Sequence, residues 1–335
     1  MRQILVTGGA GYLGSHLVEL LLSNNYKVRV LDNLSFGDNA LKILKKKYKF
    51  ELINGDIRDL RVLLSSMEGC DAVVHLAGIV GDPASKLDPI QSTEINYLST
   101  KLVVDSASYF QIKQFLFAST CSVYGASSNR LLSEKSKLNP VSIYAETKLK
   151  SEEIILEKSQ KYLSPTILRA GTLFGYSNRM RFDLVINLFA AQALLQHKIT
   201  IEGGNQWRPF VHVKDAAFAY FLALEKKRGT AKGIFNLGSD NLNNTISDIG
   251  KIIQQNTPNV KIENTKTIDQ RNYRVSFKKI HKSLGFESTM SISDGIKEIQ
   301  HALKTHKIKN WTNPIYYNNK FPLIGKNKNS KYYWQ

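Results

Sequence analysis

Tyr144 and Lys148 lie one helical turn apart in NPVSIYAETK, which puts an ammonium near a phenol on one helix face. A phenol with a pKa of ~10 is a poor base at neutral pH. A neighbouring cation, together with the positive ring of an oxidised nicotinamide, would stabilise phenolate and lower that value. Thr120 closes the apolar run FLFAST and could hydrogen-bond the same substrate oxygen. Thr120, Tyr144 and Lys148 are therefore the candidate catalytic set. The spacing alone is common, since Tyr97/Lys101, Tyr109/Lys113 and Tyr316/Lys320 share it. Only Tyr144 follows a strand ending in Ser/Thr and opens a helix after an Asn-Pro turn.

A second group of residues suits an anion. TGGAGYLGS places Gly8, Gly11 and Gly14 between an apolar run and a helical pattern. The first glycine permits a tight turn, the second lets backbone reach a pyrophosphate, and the third lets strand and helix pack closely. The helix that follows would face the anion with free N–H groups and a favourable dipole. Asp32 closes the next apolar run, 24 residues after Gly8. A carboxylate there accepts both ribose hydroxyls and repels a 2′-phosphate, which favours NAD over NADP. Lys42 to Lys47 come ten or more residues later and read as a solvated helix face.

These groups need a scaffold that delivers them to one edge. Short apolar runs at QILVT, KVRVLD (27–32), FELING (50–55), AVVHLAG (72–78), FLFAST (115–120) and TILRA (166–170) read as parallel strands buried on both faces. Helical patterns lie between them; Leu13, Leu17, Leu20 and Leu21 share one face before Asn24–Asn25 end the run. This alternation predicts a Rossmann-type α/β fold with a doubly wound parallel sheet. Beyond about Phe174 the rhythm changes. We expect a dinucleotide domain over 1–175 with a returning segment at about 207–240. A smaller, interleaved substrate domain is expected over 176–206 and 241–303, with a basic, extended or poorly ordered tail over 304–335.

Composition narrows the classes. Hydrophobic residues make up 42% and charged residues 22% of 335, as in an ordinary globular protein. No apolar run is long enough to span a bilayer, and the first residues read as a strand rather than a signal. Cys70 and Cys121 have no metal-ligand spacing, so no metal is expected and a reducing, cytoplasmic setting is. The net charge of +18 would suit an RNA-binding or regulatory relative that has lost catalysis. Against that, aromatics are not interleaved with the lysines as single-strand binding requires. The seven histidines show no HExxH spacing, and no G-x-S-x-G elbow occurs.

In order, TGGAGYLGSHL, DNLSFG, NGDIRD, HLAG, STCSVYG, YAETK and EGGNQWRPFVHVKD resemble the extended short-chain dehydrogenase/reductases. More narrowly, they resemble the NAD-dependent epimerase/dehydratase branch that modifies nucleotide sugars. The resemblance runs from Met1 to roughly Leu303. It implies that Gly8, Gly11, Tyr12, Leu13 and Gly14 hold the NAD pyrophosphate, Asp32 and Asn33 the adenosine ribose, and Asp56 with Ile57 the adenine. Leu76, Ala77 and Gly78 would line the cofactor, with Lys148 also on the nicotinamide ribose. Tyr144 would be the acid/base with Thr120 as partner, and Ser122 would face the substrate. Arg208 matches an arginine that holds the substrate's phosphates, and either Arg271 or Arg274 matches a second. The resemblance further implies a homodimer in which the Tyr144 helix pairs with the helix around Thr100–Tyr109.

The shared chemistry removes a proton from a sugar hydroxyl at C4 while its hydride passes to NAD. Sugar 4,6-dehydratases of this branch commonly carry an acid just after the Ser/Thr, where this chain has Cys121 and Ser122. Dehydration is therefore disfavoured. The segment SNRMRFDLVINLF (177–189) resembles one found among epimerases, single-step 4-dehydrogenases and 4-ketoreductases. Arg179, Arg181 and Asn187 in it could reach a nucleotide or sugar, or could form a charged loop. A nucleotide-sugar 4-epimerase is the expected activity, ahead of a single-step 4-dehydrogenase or ketoreductase.

Overall fold

The protein is described from a computed structural model covering residues 1–159, 163–226, 231–266, 269 and 271–320. Its main sheet has seven strands: β1 (Gln3–Thr7), β2 (Lys27–Asp32), β3 (Glu51–Asn54), β4 (Ala72–His75), β5 (Gln114–Thr120), β6 (Ser164–Ala170) and β7 (Gly233–Leu237). They run in the order β3-β2-β1-β4-β5-β6-β7 and every pairing is parallel. The apolar runs form strands because both sheet faces are covered, so no alternation with polar residues is needed. Strand order reverses between β1 and β4, and a crevice opens at their carboxyl ends.

The longer helices are α1 (Gly14–Ser23), α2 (Ser99–Tyr109), α3 (Ile143–Lys158), α4 (Val185–Gln196), α5 (Val213–Glu225), α6 (Ile246–Asn256) and α7 (Ile292–Lys304), with shorter ones at Asn39–Lys45, Leu60–Met67, Asp82–Leu87, Pro89–Thr93 and Lys278–Leu284. Leu17, Val18 and Leu21 of α1 pack with Ala216 and Tyr220 of α5 on one face of the sheet. Val103 and Val104 of α2 and Ile155 of α3 cover the other. Ser142 caps α3, accepting from the Ala145 amide at 3.2 Å. Glu152 of α3 forms a buried pair with Arg169 of β6 at 2.6 Å, which fixes the helix that carries Tyr144 and Lys148 against the sheet.

The second lobe has its own core, built from Phe174, Phe182, Ile186, Phe189, Ile249, Ile253, Ile296 and Ile299. Capping boxes start α6 (Thr245 with Asp248) and α7 (Ser291 with Asp294). The strand Trp207–His212 pairs with Thr172–Phe174 and with Asn243–Thr245, and so ties the lobe to the chain leaving β6.

The described part of the tail differs from the expected extended segment. Pro314–Tyr316 form a short 3-10 turn, and Trp311, Tyr316 and Tyr317 set their rings 5.8, 5.9 and 6.4 Å from Phe182. Each aromatic ring buries as much area as an aliphatic side chain or more, so a stretch poor in Leu and Ile still packs. Residues 321–335 lie outside the described part.

Candidate active site

A single cleft of about 1110 Å³ runs along the carboxyl edge of the sheet and is walled by both lobes. One end is cut for a dinucleotide. Gly8 has a φ of 74°, and a Cβ there would meet the Ala77 nitrogen at 2.7 Å; one on Gly14 would lie 2.2 Å from the Gly8 oxygen. Among the described residues no side chain caps α1, which suits an anion at that end, although the Ser15 amide already donates to the Gly11 carbonyl at 3.1 Å. Asp32 accepts from the Ala10 and Leu34 amides, one on each oxygen, at 2.9 Å. Each oxygen keeps a lone pair for a ribose hydroxyl. Leu13, Asn33, Asp56, Ile57, Leu76, Ala77 and Gly78 line the same end. Gly8, Gly14 and Asp32 thus fit the dinucleotide that the glycine spacing predicts.

The middle of the cleft holds the candidate chemistry. Tyr144 is only 8% exposed. Burial drives its phenol above the usual value; Arg181 opposes this most strongly, Asp82 adds to the rise, and a hydrogen bond with Thr120 opposes it again. Arg181 itself is held by Asp183 at 2.6 Å. Lys148 is buried, its Nζ 4.8 Å from the Phe117 ring centre. Burial pushes its ammonium down to about 8, with Glu152 pulling the other way. Arg181 is therefore the cation that bears most on the phenol. Ser122 reaches the hydroxyl of Tyr273 at 3.3 Å. Cys121 turns away, its thiol donating to the Arg169 carbonyl at 3.1 Å, and burial raises that thiol.

The far end carries two guanidinium groups. Arg208 donates to Asp269 at 2.8 Å and lies over the Tyr273 ring, 5.5 Å from its centre. Arg271 grips the same Asp269 through Nε and Nη2 and reaches across the cleft to Asp82. Asp82 also accepts from Ser142 at 2.6 Å. Arg208 and Arg271 line the cleft; Arg274 does not, and is exposed with its guanidinium 4.5 Å from the Trp207 ring centre. Of the two arginines that the spacing left open, Arg271 is the one brought to the cleft.

Two further expectations change. Asn187 is fully buried and stands outside the cleft: it accepts from the Gly175 amide and donates to Tyr12 Oη and the Arg181 carbonyl. A buried amide with its partners satisfied positions the loop and has nothing to offer a substrate. Tyr12 still lines the cleft, while its hydroxyl donates to the Gly175 carbonyl at 2.6 Å. Arg179 lines the cleft, but beside Phe36 and near Asp32, on the cofactor side. Asp82, Tyr273 and Asp269 were missed as site residues; an acid or phenol in a loop carries no periodicity that marks it.

A doubly wound sheet, a phosphate cradle and a buried tyrosine between cradle and arginines define a dinucleotide-dependent enzyme. The chain belongs to the NAD dependent epimerase/dehydratase family, whose profile matches residues 4–238. It is 30% identical over 313 residues to a candidate UDP-glucose 4-epimerase of Methanocaldococcus jannaschii, covering 90% of this chain and 99% of that one. It is 29% identical over 318 residues to the human dTDP-D-glucose 4,6-dehydratase, covering 89% and 88%. Among solved structures it is similar to the UDP-glucuronic acid 4-epimerase of Bacillus cereus in complex with UDP-glucuronic acid and NAD. That match has a TM-score of 0.81 and 27% identity, with 91% and 99% of the chains covered. The fold is therefore that of this family, and its members are NAD-dependent enzymes.

Proposed function

We propose that the chain is a nucleotide-sugar 4-epimerase. The observation that carries this reading is the composition of the pocket around Tyr144. One buried phenol sits with Thr120 between the cofactor cradle and the arginine pair. The position after Thr120, where a dehydratase would carry its acid, holds a thiol turned toward Arg169. The neighbouring carboxylate, Asp82, is already committed to Ser142 and Arg271.

Tyr144 takes the proton of the C4 hydroxyl and returns it when the configuration has been inverted. Thr120 holds the same oxygen, so the phenol and the alcohol stay aligned through both transfers. NAD, which Gly8, Gly14 and Asp32 would hold, would supply the hydride chemistry at C4 when bound. Arg181 stabilises the phenolate that this requires. Arg208 and Arg271 fix the diphosphate by bidentate contacts, which leaves the sugar free to turn about its anchor. Lys148, on the adjacent helical turn, is placed to bond the nicotinamide ribose.

The chain would act as a homodimer in a reducing compartment. Leu98 and Tyr109 flank α2 with 48% and 77% of their surface exposed, and α2 packs on α3, where Lys158 pairs with Asp105 at 2.8 Å. The two cysteines are free. Among the described residues no helix is long and apolar enough to cross a membrane. Incubation with UDP-, GDP-, CDP- and dTDP-sugars tests the activity. The 4-epimer should appear without net nicotinamide absorbance. Steady accumulation of reduced cofactor would show single-step oxidation instead, and loss of water from the sugar would show dehydration.

A further inference from the structure

We propose that the segment Asn313–Lys320 is a strap that retains the dinucleotide, with Asn318 as its fastening and Arg179 as the cation it aims at the pyrophosphate. The segment lies beyond the region that the family profile matches, and the chemistry of the cleft does not use it.

The strap is anchored on the second lobe. The Phe182 amide donates to the Tyr316 carbonyl at 2.9 Å, and the aromatic cluster around Phe182 holds Trp311, Tyr316 and Tyr317. From there Ile315 reaches the loop that follows β2, its methyl within 3.9 Å of where a Gly37 Cβ would stand. Asn318, itself 8% exposed, then bonds both walls. Its amide nitrogen donates to the Val80 carbonyl of the first lobe at 3.1 Å. Its carbonyl accepts from Arg179 Nη2 of the second lobe at 2.6 Å. One short side chain thus crosses the mouth of the cleft at the adenosine half.

Arg179 points to what is being held. It is 7% exposed, lines the cleft, and lies with its guanidinium 3.8 Å from the centre of the Phe36 ring. Its Nε is buried and has no hydrogen-bond partner among the described residues. A buried guanidinium N–H is costly to leave unmade, so the site is complete only when a ligand brings an acceptor. Asp32 acts on its charge, behind Arg181 and Asp183. The group therefore sits toward the ribose carboxylate at the cofactor end of the cleft, the end where a bound dinucleotide carries its anion. Burial lowers the guanidinium to about 9, so it is still charged at neutral pH. A cation sealed from water on that side binds phosphate more strongly than an exposed one.

The inference rests on the family's cofactor and not on which sugar is turned over. Its test is the exchange rate of bound NAD, with radiolabelled NAD loaded on the full chain and chased by unlabelled NAD. Asn318→Ala and Arg179→Gln should each release label at least tenfold faster than the parent, and their melting temperatures should stay close to the parent's in the absence of NAD. Label released at the parental rate from both variants would overturn the strap, and a lowered melting temperature with unchanged exchange would do the same by showing a structural clip only. A parent chain that takes up no NAD at all would overturn the cofactor assignment along with the strap, which separates the two failures.

Discussion

Tyr144 works in a place that resists ionisation, and the charges around it decide how far that resistance goes. Burial raises the phenol while Arg181 and Thr120 lower it, so the proton leaves only when a substrate alcohol and an oxidised cofactor complete the site. Tyr144→Phe should bind NAD as the parent does and lose about 10²–10⁴-fold in turnover, as removal of a positioned acid/base does; steady-state rates and NAD titration on the same preparation check it. Asp32→Ala removes a carboxylate whose oxygens are oriented by two amides. NAD affinity should fall about 10²–10⁴-fold, the value of two charge-assisted bonds at about 1.5–3 kcal/mol each, while the preference over NADP narrows. Parallel titrations with NAD and NADP measure both effects. The phenol, the glycines and Asp32 were legible because their neighbours in sequence place them. Asp82 and Tyr273 were not, and Arg181 was read as a substrate contact and not as the phenol's cation, because each depends on where a distant loop lands.

At the scale of elements, one buried side chain joins three of them. His75, the last residue of β4, meets Thr7 of β1 at 2.7 Å and Thr100 of α2 at 3.0 Å. Burial, helped by the Lys148 charge, pushes its imidazole down to about 3 from 6.5. A group depressed in this way adds stability that is fully present above pH 6.5 and is lost as pH falls toward 3, since the unfolded chain binds the proton first. Each pH unit in that window costs about 1.4 kcal/mol per proton. His75→Gln should therefore flatten the acid limb by about one proton, read from urea unfolding at a series of pH values. The parallel strands were readable as short apolar runs, and α1 from its leucine spacing. The packed C-terminal segment was not, because its burial comes from rings that find Phe182 only in three dimensions.

For the whole molecule, the proposed homodimer would use the apolar residues left at the surface near α2. Leu98→Arg should leave the monomer folded and shift sedimentation from dimer to monomer; an unchanged sedimentation coefficient would place the dimer contact elsewhere. The seams between the lobes are uneven. Tyr12, on the phosphate loop itself, is pinned to Gly175 and Asn187, Ser177 donates to the Tyr12 carbonyl at 2.9 Å, and His16 meets the Tyr176 carbonyl at 2.9 Å. These buried bonds rivet the jaws at their heel, so rotation of one lobe as a rigid piece would tear several at once. Entry is left to the lips, where Arg271 and Asp82 clasp across the gap. On the proposed function, a sugar nucleotide would gain admission by trading its diphosphate for that carboxylate, a side-chain exchange and not a hinge.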